Sequence, residues 1–477
     1  MRERLLLLAA ALAAFGASLG SGFHFDDYAI FSDPVLTSPW GWLHVWGLRQ
    51  TRPLTYLTFW LNYQAGGQDP LGYHLLNLLL HLGAVLLTYE CLRRLLPQRA
   101  ALVAAALFAV HPLQAEAVDY VWGRSIVLAA LLCLAALLCW IAGRPWAAVA
   151  CFAAALLAKE ECAAVPLLLA LLPAKPPRRL PIAVMLGLAA AAGARVVYAA
   201  AVTPGAPAGF HAGISPWKYW LAQGPVILRY LRLLLVPYGF TVDADIHVPP
   251  PWLGILAWAG LAALAVFLWR YRRHPAALWL LAGLILLIPS SSIFPAADLS
   301  ADRRMYLPML AFAAAAGWLL TRARTAAVAV VVVVALAGVG MARTHVWMTE
   351  ERLWREAVRR APEKVRPKIQ LSRAVPAAEA LELLAAAGRL APNDPAVPAE
   401  TGKILLSEGQ PAAALQEFGR ALALDPRDAR NFNNRGVALD ALGQTEAARQ
   451  DFERALAIDP GLTEARQNLE KLPPPGR

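Results

Sequence analysis

The sequence predicts an all-α chain in two parts: a multipass transmembrane helical domain of about 11 helices, then an α-solenoid. Two observations predict it. Apolar stretches separated by short basic loops run through most of the 477 residues, which are 58% hydrophobic and 16% charged with mean hydropathy +0.47. A 34-residue period follows at the C-terminal end, where Gly402, Gly409, Ala414, Phe418, Ala421 and Asp425-Pro426 recur as Gly436, Gly443, Ala448, Phe452, Ala455 and Asp459-Pro460. Small residues recurring at that period, with Pro closing each unit, mark tetratricopeptide repeats.

The net charge of +11 does not point to nucleic acid. Its clusters, at Arg93-Arg94, 175–179, 270–273 and 322–324, lie between apolar stretches, where basic residues keep loops cytoplasmic. Cys91, Cys133, Cys139, Cys151 and Cys162 lie in or beside apolar stretches without metal-ligand spacing, so they read as core residues with no structural disulfide.

In chain order, Arg2 and Arg4 precede an apolar run at 5–19, read as an uncleaved anchoring helix although Gly-Ala-Ser at 16–18 suits a cleavage site. The positive-inside rule places its start in the cytoplasm and the adjacent carboxylates Asp26 and Asp27 outside. A Trp-rich outer loop, residues 21–72, carries Trp40, Trp42, Trp46, Trp60, Arg49 and Arg52 and suits the interface. Apolar segments follow near 73–92, 100–117, 124–142, 145–158, 162–173 and 180–200. The pair at 145–173 is short for two crossings, since a span takes about 20 residues, so its tip Lys159-Glu160-Glu161 lies below the outer surface. Keeping every basic loop inside demands even numbers of passes. The stretch 219–237, with Gln223, Arg229 and Arg232, is therefore demoted to a re-entrant or interfacial helix, leaving the N-terminus inside and everything after 341 outside.

This parity gathers the remaining charged motifs on the outer face: Asp26-Asp27; His111, Glu116, Asp119 and Arg124; the tip at 159–161; Asp243 and Asp245; Asp298, Asp302, Arg303, Arg304 and Tyr306. Ionisable groups at a membrane edge are expensive to hold and mark function. A degenerate earlier repeat shows in Ala380, Ala387 and Pro392, with Lys368 where Gly is expected, and residues 462–471 supply a capping helix. Stacked repeats form a groove for a peptide or partner protein.

The combination resembles the tetratricopeptide-containing transmembrane O-mannosyltransferases and their bacterial relatives, multipass enzymes of the GT-C glycosyltransferase fold. The resemblance is carried by Phe25-Asp26-Asp27-Tyr28 as a first-loop acidic pair and by Val110-His111-Pro112 through Glu116 to Gly123-Arg124. Ala158-Lys159-Glu160 and Asp302-Arg303 with Tyr306-Leu307-Pro308 complete it, with Asp302 standing where the family has glutamate. It implies a polyprenyl-phosphate or dolichyl-phosphate sugar donor and transfer on the extracytoplasmic side. The chemistry then needs a base for the acceptor hydroxyl, expected to be Asp27 with Asp26 orienting it, and cations for the leaving phosphate, expected among Arg124, Lys159, Arg303 and Arg304. His111, Glu116, Glu160, Asp302 and Tyr306 are expected around the site. Two carboxylates without a third ligand leave a divalent cation undecided.

The expected organisation is a membrane glycosyltransferase-like domain at 1–345, a linker helix at 346–362, repeats at 363–471 and a tail at 472–477. The function expected is sugar transfer to an extracytoplasmic acceptor, a protein hydroxyl presented by the repeats. The alternatives are a non-catalytic membrane scaffold and a lipid-linked glycan ligase or polymerase. The Ala- and Arg-rich composition points to a bacterium of high genomic GC, which would make the membrane a bacterial inner membrane.

Overall fold

The computed structural model describes residues 1–172, 178–203, 213–291, 294–296, 298–322 and 326–473. Residues 175–177 and Arg324 of the basic loops, the end of the expected segment 162–173, and the tail from 474 lie outside the described residues. The chain divides into two compact units, Met1–Thr349 and Glu350–Arg477, both helical.

The first unit is an integral membrane domain. Six helical stretches are long and apolar enough to span: Arg2–Gly20, Pro70–Leu92, Val121–Ile141, Arg179–Val202, Pro251–Arg270 and Ala327–Val346. A seventh forms if the pair Gln98–Val110 and Pro112–Asp119 counts as one, bent by 49°. The bend has a cause: Pro112 has no N–H to donate, and His111 before it is extended. Val328, Val330, Val331 and Val334 on one helix, and Ile255, Leu256 and Phe267 on another, face outward and are stable there only against lipid. Trp252 and Trp269 mark the two ends of Pro251–Arg270, as interfacial anchors do.

The count of about eleven therefore rests on shorter pieces. Pro145–Ala158, Pro275–Leu287 and Tyr306–Arg322 have 14, 13 and 17 residues. The expected segment 162–173 is only a 3-10 turn, Glu160–Ala164, and the helix Val165–Leu171, too short to span. Pro216–Leu235 is long enough but too polar, because its inner face carries Gln223, Arg229 and Tyr230. The first outer loop is more ordered than its composition implies and contains the helix Pro53–Gly66. Arg4 at the start of the first helix pairs with Glu90 near the end of Pro70–Leu92 at 2.6 Å, so the two run antiparallel with their basic ends together.

The second unit is a tetratricopeptide solenoid of paired helices from Val365–Ser372 to Thr445–Ile458, closed by Thr463–Lys471. A Cβ on Gly402 would lie 2.7 Å from the Phe418 ring, and one on Gly436 would lie 2.6 Å from Phe452. Glycine is required because each ring packs onto helix backbone. The degenerate copy changes both partners: Lys368 replaces the glycine and Leu384, 34 residues before Phe418, replaces the ring. Lys368 then folds back, its Nζ donating to the carbonyls of Pro362 and Lys364.

Candidate active site

The acidic pair sits on a 3-10 turn, Phe25–Tyr28, opened by His24. Consecutive residues on such a turn point apart, and the two carboxylates meet different surroundings. Asp27 is fully buried: its Oδ2 accepts the backbone N–H of His24 at 3.0 Å and its Oδ1 that of Trp122 at 2.8 Å. Burial pushes its carboxyl up to about 8 against the pull of those donors. Asp26 is exposed and accepts the Tyr120 hydroxyl at 3.1 Å. Phe25, at φ 22°, holds an unusual backbone conformation beside it and lays its ring 4.8 Å from that of Tyr120.

The expected His111 to Arg124 motif has divided roles. His111 Nδ1 accepts the N–H of Leu113 at 3.2 Å and so caps the helical turn after the bend. Glu116, 4% exposed, holds the guanidinium of Arg303 in an ion pair and accepts the Arg303 backbone N–H at 3.1 Å. Gly123 is needed because a Cβ there would lie 2.6 Å from the Ala117 carbonyl oxygen. Arg124 is fully buried, donating to Asn77 Oδ1 at 2.8 Å and the Tyr73 carbonyl at 2.9 Å, with Phe59 under its guanidinium. Its planar donors are consumed by the fold.

The remaining candidate residues are engaged as follows. Asp302 pairs with Arg229 at 2.6 Å. Arg304 reaches the carbonyls of Asp298 at 2.8 Å and Leu299 at 3.1 Å. Tyr306 is buried with its hydroxyl 2.7 Å from His81 Nδ1. At the tip, Glu160 receives Arg52 through two bonds of 3.1 and 2.7 Å, while Lys159 lies 3.6 Å from Glu161. Lys159, Glu161, Ser290 and Arg304 line a cleft whose other walls, including Ile126, Ala130, Leu286 and Leu307, are mostly apolar. Among the described residues no group of three or more His, Cys, Asp or Glu could hold a metal ion.

Sequence reasoning did not assign Arg229, Tyr120 or Arg52 to the site. Arg229 has a legible signal, a cation beside Gln223 and Arg232 on an amphipathic helix, but it reads equally as a reason against crossing. Arg52 has none, since its partner lies 108 positions away.

Residues 400–463 match the family model described as tetratricopeptide repeat. The C-terminal unit is a tetratricopeptide-repeat domain. Among curated proteins, the chain is 53% identical over 83 residues to Protein O-mannosyl-transferase Tmtc1 of Drosophila melanogaster, covering 17% of this chain and 10% of that protein. It is 35% identical over 144 residues to Protein O-mannosyl-transferase TMTC3 of Mus musculus, covering 27% and 16%. It is 39% identical over 157 residues to Protein O-mannosyl-transferase TMTC4 of Homo sapiens, covering 27% and 21%. The matches thus span 10% to 21% of the length of these relatives, which are protein O-mannosyl-transferases. Among solved structures, YrrB, a tetratricopeptide protein with an unusual peptide-binding site, is 24% identical with TM-score 0.24, covering 28% of this chain and 74% of that one. MamA is 21% identical with TM-score 0.23, covering 25% and 72%.

Proposed function

We propose that the membrane unit is a glycosyltransferase that moves a hexose, mannose in the first instance, from a polyprenyl-phosphate carrier to a hydroxyl on the extracytoplasmic side. The repeats present a protein acceptor. The observation that carries this reading is the cleft of Lys159 and Arg304: its apolar walls suit a polyprenyl chain, and two cations against the single carboxylate of Glu161 suit the phosphate that departs with it. The names of the relatives support mannosyl transfer to protein.

The geometry favours exchanging the roles expected for the two carboxylates. A base must reach the acceptor proton, and Asp26 is exposed while Asp27 is sealed by two backbone donors. Asp26 takes the proton from the acceptor hydroxyl, whose oxygen attacks the anomeric carbon as the bond to the lipid phosphate breaks. Lys159 and Arg304 hold the charge left on that phosphate. Asp27 is the positioning residue that ties the acidic turn to Trp122. Arg303 and Arg124, already engaged by Glu116 and by Asn77 with Tyr73, shape the scaffold.

Purified full-length chain given radiolabelled polyprenyl-phosphate mannose and an unfolded hydroxyl-rich protein tests it, with the labelled product identified. Label on protein Ser or Thr is expected. Label on a glycan or lipid alone would make the enzyme a glycan ligase, and no transfer under conditions where donor binds would leave a scaffold.

A further inference from the structure

A second cleft is lined by Trp122, which bonds Asp27 of the acidic turn, and by Arg52, which bonds Glu160 of the tip, and the reaction above gives it no occupant. We infer that it binds the hexose ring of the donor. This deepens the proposed function and rests on it.

Each wall of the cleft is tied to one half of the proposed chemistry. On one side stands Trp122, whose backbone N–H holds Asp27 at 2.8 Å. On the other stands Arg52, whose Nε and one terminal nitrogen bind Glu160, the neighbour of Lys159. A sugar bonded to a phosphate held by Lys159, with its anomeric carbon offered to an acceptor near Asp26, must occupy space between these two anchors. This cleft adjoins both anchors through Trp122 and Arg52.

Its chemistry fits a neutral polyhydroxyl ring. Phe59 and Trp122 stack at 5.4 Å and 18°, and Tyr56 meets Trp122 edge-on at 5.9 Å, which makes a rigid aromatic wall. Gln50, Thr51 and Ser125 add amide and hydroxyl groups that both donate and accept, as sugar hydroxyls require. Arg52 is neutralised by Glu160 while its second terminal nitrogen is left to donate. Among the described residues no carboxylate lines the cleft, so a cationic sugar has no counter-charge there.

The loop wall is braced independently. Arg195 donates to the carbonyls of Gly47 at 2.8 Å, Leu48 at 3.3 Å and Gln50, holding the segment that carries Gln50, Thr51 and Arg52.

The test measures equilibrium binding of two lipids to the full-length chain in detergent: a short-chain polyprenyl-phosphate mannose and the same polyprenyl phosphate without sugar. Gln50→Ala and Trp122→Phe should each weaken the mannosyl lipid, with about a tenfold loss for the pair together, and leave the sugar-free lipid within about twofold. Arg304→Ala should weaken both lipids. Equal weakening of both by Gln50→Ala and Trp122→Phe would make the cleft structural and overturn the inference. No change in either lipid, with loss of affinity for a free acceptor oligosaccharide, would assign the cleft to an acceptor sugar and overturn it too. A wild-type chain that binds neither lipid would remove the donor reading itself, a failure visible before any variant is made.

Discussion

The backbone N–H of Trp122 lies 2.8 Å from Oδ1 of Asp27, across 95 residues of sequence. That bond, with the His24 N–H on the other oxygen, turns Asp27 inward and leaves Asp26 to face solvent. The two carboxylates should therefore separate in experiment. Asp26→Asn should lower the transfer rate by about 100-fold to 10,000-fold while donor affinity stays unchanged, as loss of a positioned base does. Asp27→Asn keeps one acceptor and sets its amide against the second N–H, so it should lower thermal stability along with rate. Near-normal rates in Asp26→Asn would return the base assignment to Asp27.

The same burial sets a pH dependence. Asp27 has a folded value of about 8 against about 3.9 unfolded, so the folded state binds its proton more tightly. Its contribution to stability is full below about pH 4 and is lost as pH rises towards 8. The Tm of the wild-type chain relative to Asp27→Asn, followed in detergent from pH 5 to 9, should fall with rising pH and level off above 8. A flat difference would show that the two backbone donors offset the burial.

Arg303 and Glu116 form a buried pair, and breaking it from one side strands the other charge. Arg303→Ala or Glu116→Gln alone should destabilise the membrane unit by about 3–5 kcal/mol, and pairing Arg303→Met with Glu116→Leu should recover part of the loss. Yield of monodisperse protein and Tm report it. A stable Arg303→Ala that has lost only donor affinity would instead put this guanidinium on the phosphate.

The antiparallel pairing of Arg4 with Glu90 agrees with basic loops kept on one side. A reporter fused after His345 should then read as extracytoplasmic, and one fused near Arg272 as cytoplasmic. The opposite reading after His345 would sink the assignment of sides.

The proposed role of the repeats in presenting a protein acceptor can be tested directly. Truncation from Ala361 onward should impair transfer to protein acceptors and leave transfer to a small soluble acceptor largely intact, because a tethered groove raises local acceptor concentration to about the millimolar range. Equal loss of both activities would mean that the repeats stabilise the membrane unit. Within them, Gly436→Ala should cost about 1–3 kcal/mol of stability, as the added Cβ would press on Phe452.

By itself the sequence determined what depends on local pattern. The 34-residue period specifies paired helices because Gly436 must admit Phe452, and hydropathy specifies spans because a bilayer leaves backbone groups no partner but their own helix. It also delimited the charged motifs. Which charge faces inward was decided by tertiary structure, since Arg124 is consumed by Asn77 and Tyr73, Arg303 by Glu116 and Glu160 by Arg52, each from a distant helix or loop. A charge removed from water takes the partner the packing brings to it, and sequence spacing carries no record of that partner. Asp26 and Asp27 are alike as letters, and only the turn beneath them, with Trp122 behind it, gives one to solvent and the other to the core.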